Sequence, residues 1–115
     1  MANETITASR GFLAAGAACG IKKSGNLDLG LIVCQTGAKA AAVFTTNKVV
    51  SAAVDVCKRH VKNAEIQAVV VNSGCANACT GQRGIKNAIT MCKQTASCVA
   101  QVAKDDGRRT KDEGR

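Results

Sequence analysis

A chain of 115 residues is the size of one small domain and is long enough to bury a core. The materials for that core are light: Phe12 and Phe44 are the only aromatics, there is no proline, and alanine and glycine are abundant. Aliphatic and small side chains bury less area per residue than aromatic ones, so a core made of them is marginal in isolation. The formal net charge is +8. The basic residues of the body are scattered, and the stacking aromatics that single-strand and RNA binders use are almost absent, so nucleic acid is not the expected partner.

Seven cysteines stand at 19, 34, 57, 75, 79, 92 and 98, an odd number with no secretory leader before them. Most occupy apolar positions, where cysteine behaves as a small hydrophobe, and a reducing cytoplasm is the expected compartment. The apolar run Phe12 to Ile21 is too short to span a bilayer, so no membrane association is expected.

Residues 1–10 are polar and extend the first strand or fray. From Gly11 to Gly25, glycines at 11, 16, 20 and 25 disfavour a helix by about 1 kcal/mol each relative to alanine. Extended chain and turns are predicted there. Leu27 to Cys34 reads as a strand whose unbroken apolar run, Leu29 to Cys34, predicts burial on both faces. Gly37 marks a turn, Ala40 to Thr45 a second strand, and Ala52 to Cys57, with its apolar alternation, a third. Ile66 to Val71, β-branched throughout most of its length, is a fourth. Short connections preclude an all-parallel arrangement of four such strands, so the sheet is predicted to be mixed or antiparallel.

From Gly84 onward, Ile85, Ala88, Ile89, Cys92, Ala96, Val99 and Ala103 recur at the spacing of one helical face, and a helix over 84–103 is predicted against one side of the sheet. Fold class is therefore α/β, of the α+β kind, with about four strands followed by one long helix. Lys104 to Arg115 holds nine charged residues in twelve and no apolar one, the composition of a disordered tail. The expected division is a folded body over residues 1–103 and a charged tail over 104–115.

The strongest candidate for function is the stretch V-V-V-N-S-G-C-A-N-A-C-T-G-Q-R-G from Val69 to Gly84, where a strand hands over to a polar, glycine-punctuated loop and then to the long helix. Ligands in α/β folds tend to bind at that place, because backbone N–H groups and the helix dipole point there. Thr80 is a natural helix N-cap, with Asn77 the alternative one turn earlier. Arg83 in the first turn opposes the helix dipole, a mismatch that an anion removes. Cys75 and Cys79 have metal or redox spacing, yet zinc commonly takes four ligands and His60 is the one histidine. A Cys/His nucleophile built on His60 needs proximity and a lowered thiol pKa. No metal or cofactor is expected.

With these blocks laid out, the chain resembles the N-terminal quarter of the ornithine acetyltransferase family, the bifunctional glutamate N-acetyltransferases of arginine biosynthesis. The likeness is carried by Gly11-Phe12 with Ala14, Ala15 and Gly16; by Gly20-Ile21-Lys22-Lys23; by Asp28-Leu29 with Leu31-Ile32; by Val43-Phe44-Thr45-Thr46-Asn47; by Ala52-Ala53-Val54; and by Val71-Asn72-Ser73-Gly74 with Ala76-Asn77-Ala78-Cys79-Thr80-Gly81 and Gly84. It covers residues 10–103 in one order.

The resemblance implies a longer α/β enzyme that cuts itself before a threonine into two subunits that stay together. The freed threonine would carry acetyl from N-acetylornithine to glutamate, its own amine acting as base, and a Thr-Gly pair beyond the first long helix would stabilise the oxyanion. Neither element has a counterpart here. Thr110 is followed by Lys111 and does not inherit the oxyanion role. The expectation is thus a truncated or frame-shifted acetyltransferase segment, inactive alone, with Asn72, Ser73, Gly74, Asn77, Thr80 and Gly81 as a pocket-supporting loop and no catalytic residue. The alternative is a small basic module that binds an anionic metabolite or nucleic acid through Arg83, Lys86 and Lys93.

Overall fold

The computed structural model describes residues 5–63 and 65–112. Three strands form one antiparallel sheet in the order β1 (Phe12–Ala17), β2 (Leu29–Lys39), β3 (Glu65–Asn72). Two α-helices complete it, α1 (Ala52–His60) between β2 and β3, and α2 (Gly81–Asp112) after β3. Single 3-10 turns lie at Ile6–Ala8 and Val61–Asn63.

The register explains which side chains share a face. Leu13 faces Val33, Ala15 faces Leu31, and Leu31 in turn faces Val70, so these residues form the surface toward α2. Phe12, Ile32, Cys34 and Val69 lie on the opposite surface, as the period-2 alternation of strands requires.

Two predicted strands are absent, each for a physical reason. Ala52 to Cys57 is the start of α1, because Ala52 and Val56, the two buried residues of the segment, are four apart and satisfy a helical period as well as an alternating one. Asp55 in its first turn and Lys58, Arg59 and His60 in its last match the helix dipole, and that charge pattern favours the helix. Ala40 to Thr45 is irregular chain in which Val43 is 98% exposed. Alanine has low strand propensity, and the segment is held from outside by the Lys58 ammonium, 5.7 Å above the Phe44 ring, a cation–π contact. Gly37 makes no turn between strands; with φ +78 it sits inside β2, where the register with β3 shifts between Val33 and Ala38. Burial of β2 on both faces is not observed either: its residues are half-buried or exposed except Cys34.

α2 begins three residues earlier than predicted and continues to Asp112, so residues 104–112 are helical where disorder was expected. Elongating an existing helix adds one hydrogen bond per residue fixed, whereas nucleation is costly, and a charged composition does not oppose that growth. Residues 113–115 of the expected tail lie outside the described part.

Buried apolar side chains among the described residues are few: Cys34, Ala52 and Val56. Val56, on α1, is 2% exposed, and α1 packs against α2. Val56→Ala removes two buried carbons and is expected to lower stability by about 2 kcal/mol, read as a shift in the urea midpoint at unchanged slope.

Candidate functional site

The site is built around the carboxylate of Asp28, the residue just before β2. It is 3% exposed and takes four donors. Oδ1 accepts the Cys19 backbone N–H at 2.8 Å and the Cys19 thiol at 3.1 Å; Oδ2 accepts the N–H groups of Ile21 at 2.7 Å and Lys22 at 3.0 Å. The loop between β1 and β2 is therefore wrapped around one anion. Its backbone also joins the sheet, the N–H donating to Ala17 O at 3.0 Å and the carbonyl accepting Ser73 N–H at 2.9 Å.

The donors set the charge state. The N–H of Cys19, followed by that of Lys22 and the Cys19 thiol, holds the Asp28 carboxyl well below the usual carboxylate range, as hydrogen bonds to the charged form do. The same contact pushes the Cys19 thiol up, since the thiolate would lose its hydrogen bond and face a carboxylate. Cys92 is also pushed up, first by burial and then by nearby Cys57. These thiols are the wrong kind for nucleophiles.

The loop of residues 72–80 begins on this clamp. After Asn72 ends β3, Ser73 is held by the Asp28 carbonyl, and Gly74 has φ +108. A Cβ at Gly74 would stand 2.8 Å from Lys22 Cγ and 3.2 Å from Ile21 Cγ2, so only glycine lets this turn press against the clamped loop. Further on, Asn77 is the hub. Its carbonyl accepts Ala52 N–H at 3.0 Å at the start of α1, and an isolated antiparallel bridge pairs Ser51 with Ala78. Its side-chain amide donates to Gly84 O at 2.9 Å, while its Oδ1 accepts the Thr80 hydroxyl at 2.5 Å.

Thr80 thus does not cap α2 as its sequence position suggests; its hydroxyl is turned back to Asn77. Gly84 explains the arrangement, because a Cβ there would overlap the Thr80 hydroxyl and the Asn77 carboxamide. Gly81, with φ +59, and Cys79, with φ 55, make the final bend into the helix, the second in a region that side-chain-bearing residues seldom enter. Asn72, Ser73, Gly74, Thr80 and Gly81 are exposed and Asn77 half-buried. Of the six predicted loop residues, Ser73 is bonded to Asp28, Gly74 packs on the clamped Ile21 and Lys22, and Asn77 and Thr80 bond to each other and reach Gly84; Gly81 contributes its bend and Asn72 shares only in the strand.

The other sequence candidates do not assemble. Cys75 and Cys79 are free and exposed, and His60, at the end of α1, is exposed too. Among the described residues no group of three or more His, Cys, Asp or Glu is placed to hold a metal ion. Arg83, Lys86 and Lys93 are exposed on α2. Thr110 belongs to the last turns of α2. Asp28 is the residue that sequence reasoning left without a role. The signal was present, an acidic residue between Leu27 and Leu29 at the start of an apolar strand, where a carboxylate persists only if donors surround it.

An antiparallel sheet with a long helix behind it and a hydrogen-bonded polar loop at the strand-to-helix junction defines a protein of the mixed α/β class. The ArgJ family model matches residues 13–107, and the chain belongs to that family. It is 48% identical over 88 residues to an arginine biosynthesis bifunctional protein ArgJ of Bacillus cereus, a match covering 76% of this chain and 21% of that protein. The ArgJ protein of Caldanaerobacter subterraneus subsp. tengcongensis is 44% identical over 101 residues, 88% of this chain and 25% of that one.

Among solved structures, the chain superposes with a TM-score of 0.73 on the ArgJ protein of Bacillus halodurans, at 45% identity, covering 76% of this chain and 46% of that chain. The ornithine acetyltransferase of Mycobacterium tuberculosis, solved in complex with ornithine, gives the same TM-score and coverage at 43% identity. This chain spans a fifth to a quarter of the length of the curated relatives it matches.

The clamp and the hub are each open to a direct test. The Asp28 pKa is depressed in the folded chain, so its stabilisation is present above the ordinary carboxylate value of 3.8 and drains away as pH falls below it. Asp28→Asn is expected to lower the thermal midpoint at pH 7, to flatten the acid limb of stability below about pH 4, and to speed alkylation of Cys19. Gly84→Ala, which favours an ordinary helix, is expected here to destabilise by about 1–3 kcal/mol, and Thr80→Ser in the same background should not restore it, because the overlapping oxygen remains.

Proposed function

We propose that this chain is the N-terminal scaffold of an ornithine/glutamate N-acetyltransferase, an acyltransferase that moves acetyl from N-acetylornithine to glutamate in arginine biosynthesis, and that it is not catalytic alone. The observation that carries the reading is 48% identity over 88 residues to a protein of that family, with the family match over residues 13–107 spanning both the clamp and the hub. The Mycobacterium tuberculosis relative was solved with ornithine, in keeping with an ornithine-derived acetyl donor.

Chain lengths favour the two-subunit form. A match covering 76% of this chain is 46% of each solved chain but only 21% of the Bacillus cereus relative. The solved chains are thus about half as long as that relative, as expected if the enzyme is cut near its middle and the companion subunit stays bound.

In this reading Asn72, Ser73, Gly74, Asn77, Thr80 and Gly81 support the acyl-transfer pocket by fixing where β3 ends and α2 starts. The reacting threonine and oxyanion donors come from the remainder of the family's polypeptide. Residues beyond 107, outside the family match, are assigned no part in it. No cofactor is required, since the nucleophile, its amine and hydrogen-bond donors suffice for acyl transfer. Seven unpaired cysteines fit a reducing cytoplasm, and among the described residues no helix is long and apolar enough to cross a membrane.

The purified chain, given N-acetylornithine and glutamate, is expected to form no N-acetylglutamate above the uncatalysed level. Grafted in place of the corresponding segment of the Bacillus cereus relative, it is expected to support acetyl exchange. Exchange by the chain alone, or an inert but folded graft, would overturn the proposal.

A further inference from the structure

The face of the sheet toward α2 is not fully covered. α2 packs on α1 and on β3, but over β1 and β2 its residues from Cys98 onward stand off the sheet and leave a cavity of about 460 Å³. Leu13, Leu31 and Val33 form the sheet wall; Cys98, Val99 and Val102 form the helix wall. Leu13 is 53% and Val102 61% exposed, an unfavourable state for aliphatic side chains facing each other across a gap.

We propose that this wedge docks the polypeptide that follows α2 in the longer members of the family, seated through a row of aliphatic side chains. Three observations select that occupant. Both walls are mainly aliphatic, and among the described residues no Lys, Arg or His lines the space, so an anionic metabolite finds no cationic partner there, whereas apolar side chains gain by leaving water. The cavity lining extends to Asp106 on α2, and the family match ends at residue 107, so in a relative the next stretch of chain starts beside the wedge. A short tether gives it a high effective concentration at that place. Finally, the match is only 21% of the Bacillus cereus relative, so ample chain is available to fill it.

The inference rests on family membership and not on acetyl transfer, so it stands or falls separately from the activity. The test uses Cys98, a native reporter on the helix wall. Overlapping peptides covering the Bacillus cereus relative beyond the matched segment are added in excess to the intact chain, and maleimide labelling of each cysteine is followed by mass spectrometry. A peptide from the stretch directly after the match is expected to slow Cys98 labelling about tenfold while Cys75 and Cys79 label as before. Leu13→Asp and Val102→Asp should abolish that protection with helical circular dichroism unchanged, and Val49→Asp, an exposed site outside the wedge, should not. The proposal is overturned if no peptide protects Cys98, if only peptides from distant parts of the relative do, or if protection survives both wedge substitutions. Because the labelling readout needs no substitution, it decides the matter even where a wedge variant fails to fold.

Discussion

One buried aspartate ties three stretches of chain together at the edge of the strand ladders. Asp28 gathers the loop after β1 through its side chain and the end of β3 through its backbone carbonyl. A carboxylate so placed would be costly without its donors, and with all four it leaves no unsatisfied polarity; no buried side-chain polar atom among the described residues lacks a partner. Because the carboxyl is held well below its usual range, its charge is constant across the pH range where an enzyme works. A fixed anion suits a structural role better than a catalytic one, which needs a group poised to exchange protons.

The loop that joins β3 to α2 inherits its position from this clamp. Gly74 presses on Ile21 and Lys22, which the carboxylate has already fixed. Asn77 then measures the distance to both helices, accepting from the start of α1 and donating into the first turn of α2. A chain of short contacts therefore links the β1–β2 loop to the direction in which α2 leaves the sheet. Where α2 points decides where its far end, and whatever follows it in a longer family member, arrives.

Much of this was legible in the residues, and the parts that were not have definable causes. β3 is legible from its β-branched run and α2 from the three-and-four spacing, which a long periodic segment leaves little choice about. α1 was missed because Ala52, Val54 and Val56 satisfy alternation over a segment too short to separate the two periods; the charges at its ends carried the missing information. The strand expected over 40–45 failed on the low strand propensity of its alanines and on Val43, which meets nothing and is 98% exposed, a tertiary fact that composition does not encode. The polar loop was found from its glycines and short polar residues, but its wiring was not. Thr80 looks like a cap in one dimension, and only the closeness of Gly84 and Asn77 in space shows why its hydroxyl turns away.

The thin core follows from the same design. Three buried apolar residues among those described, one of them a cysteine, are too few to offset the conformational entropy of ordering a chain of this size, while Leu13, Val69, Val71 and Val102 stay about half or more open to water. Local hydrogen bonds, not the hydrophobic interior, therefore define the shape around Asp28 and Asn77. Those bonds are directional and close-range, so they preserve the geometry of the junction even where the surrounding apolar surface has no partner. Burial needs area from both sides of a contact, and these apolar faces have only one. The division of labour is physical: polar clamps fix where the strand, loop and helix lie, while apolar side chains on both sides of the sheet stay open to water.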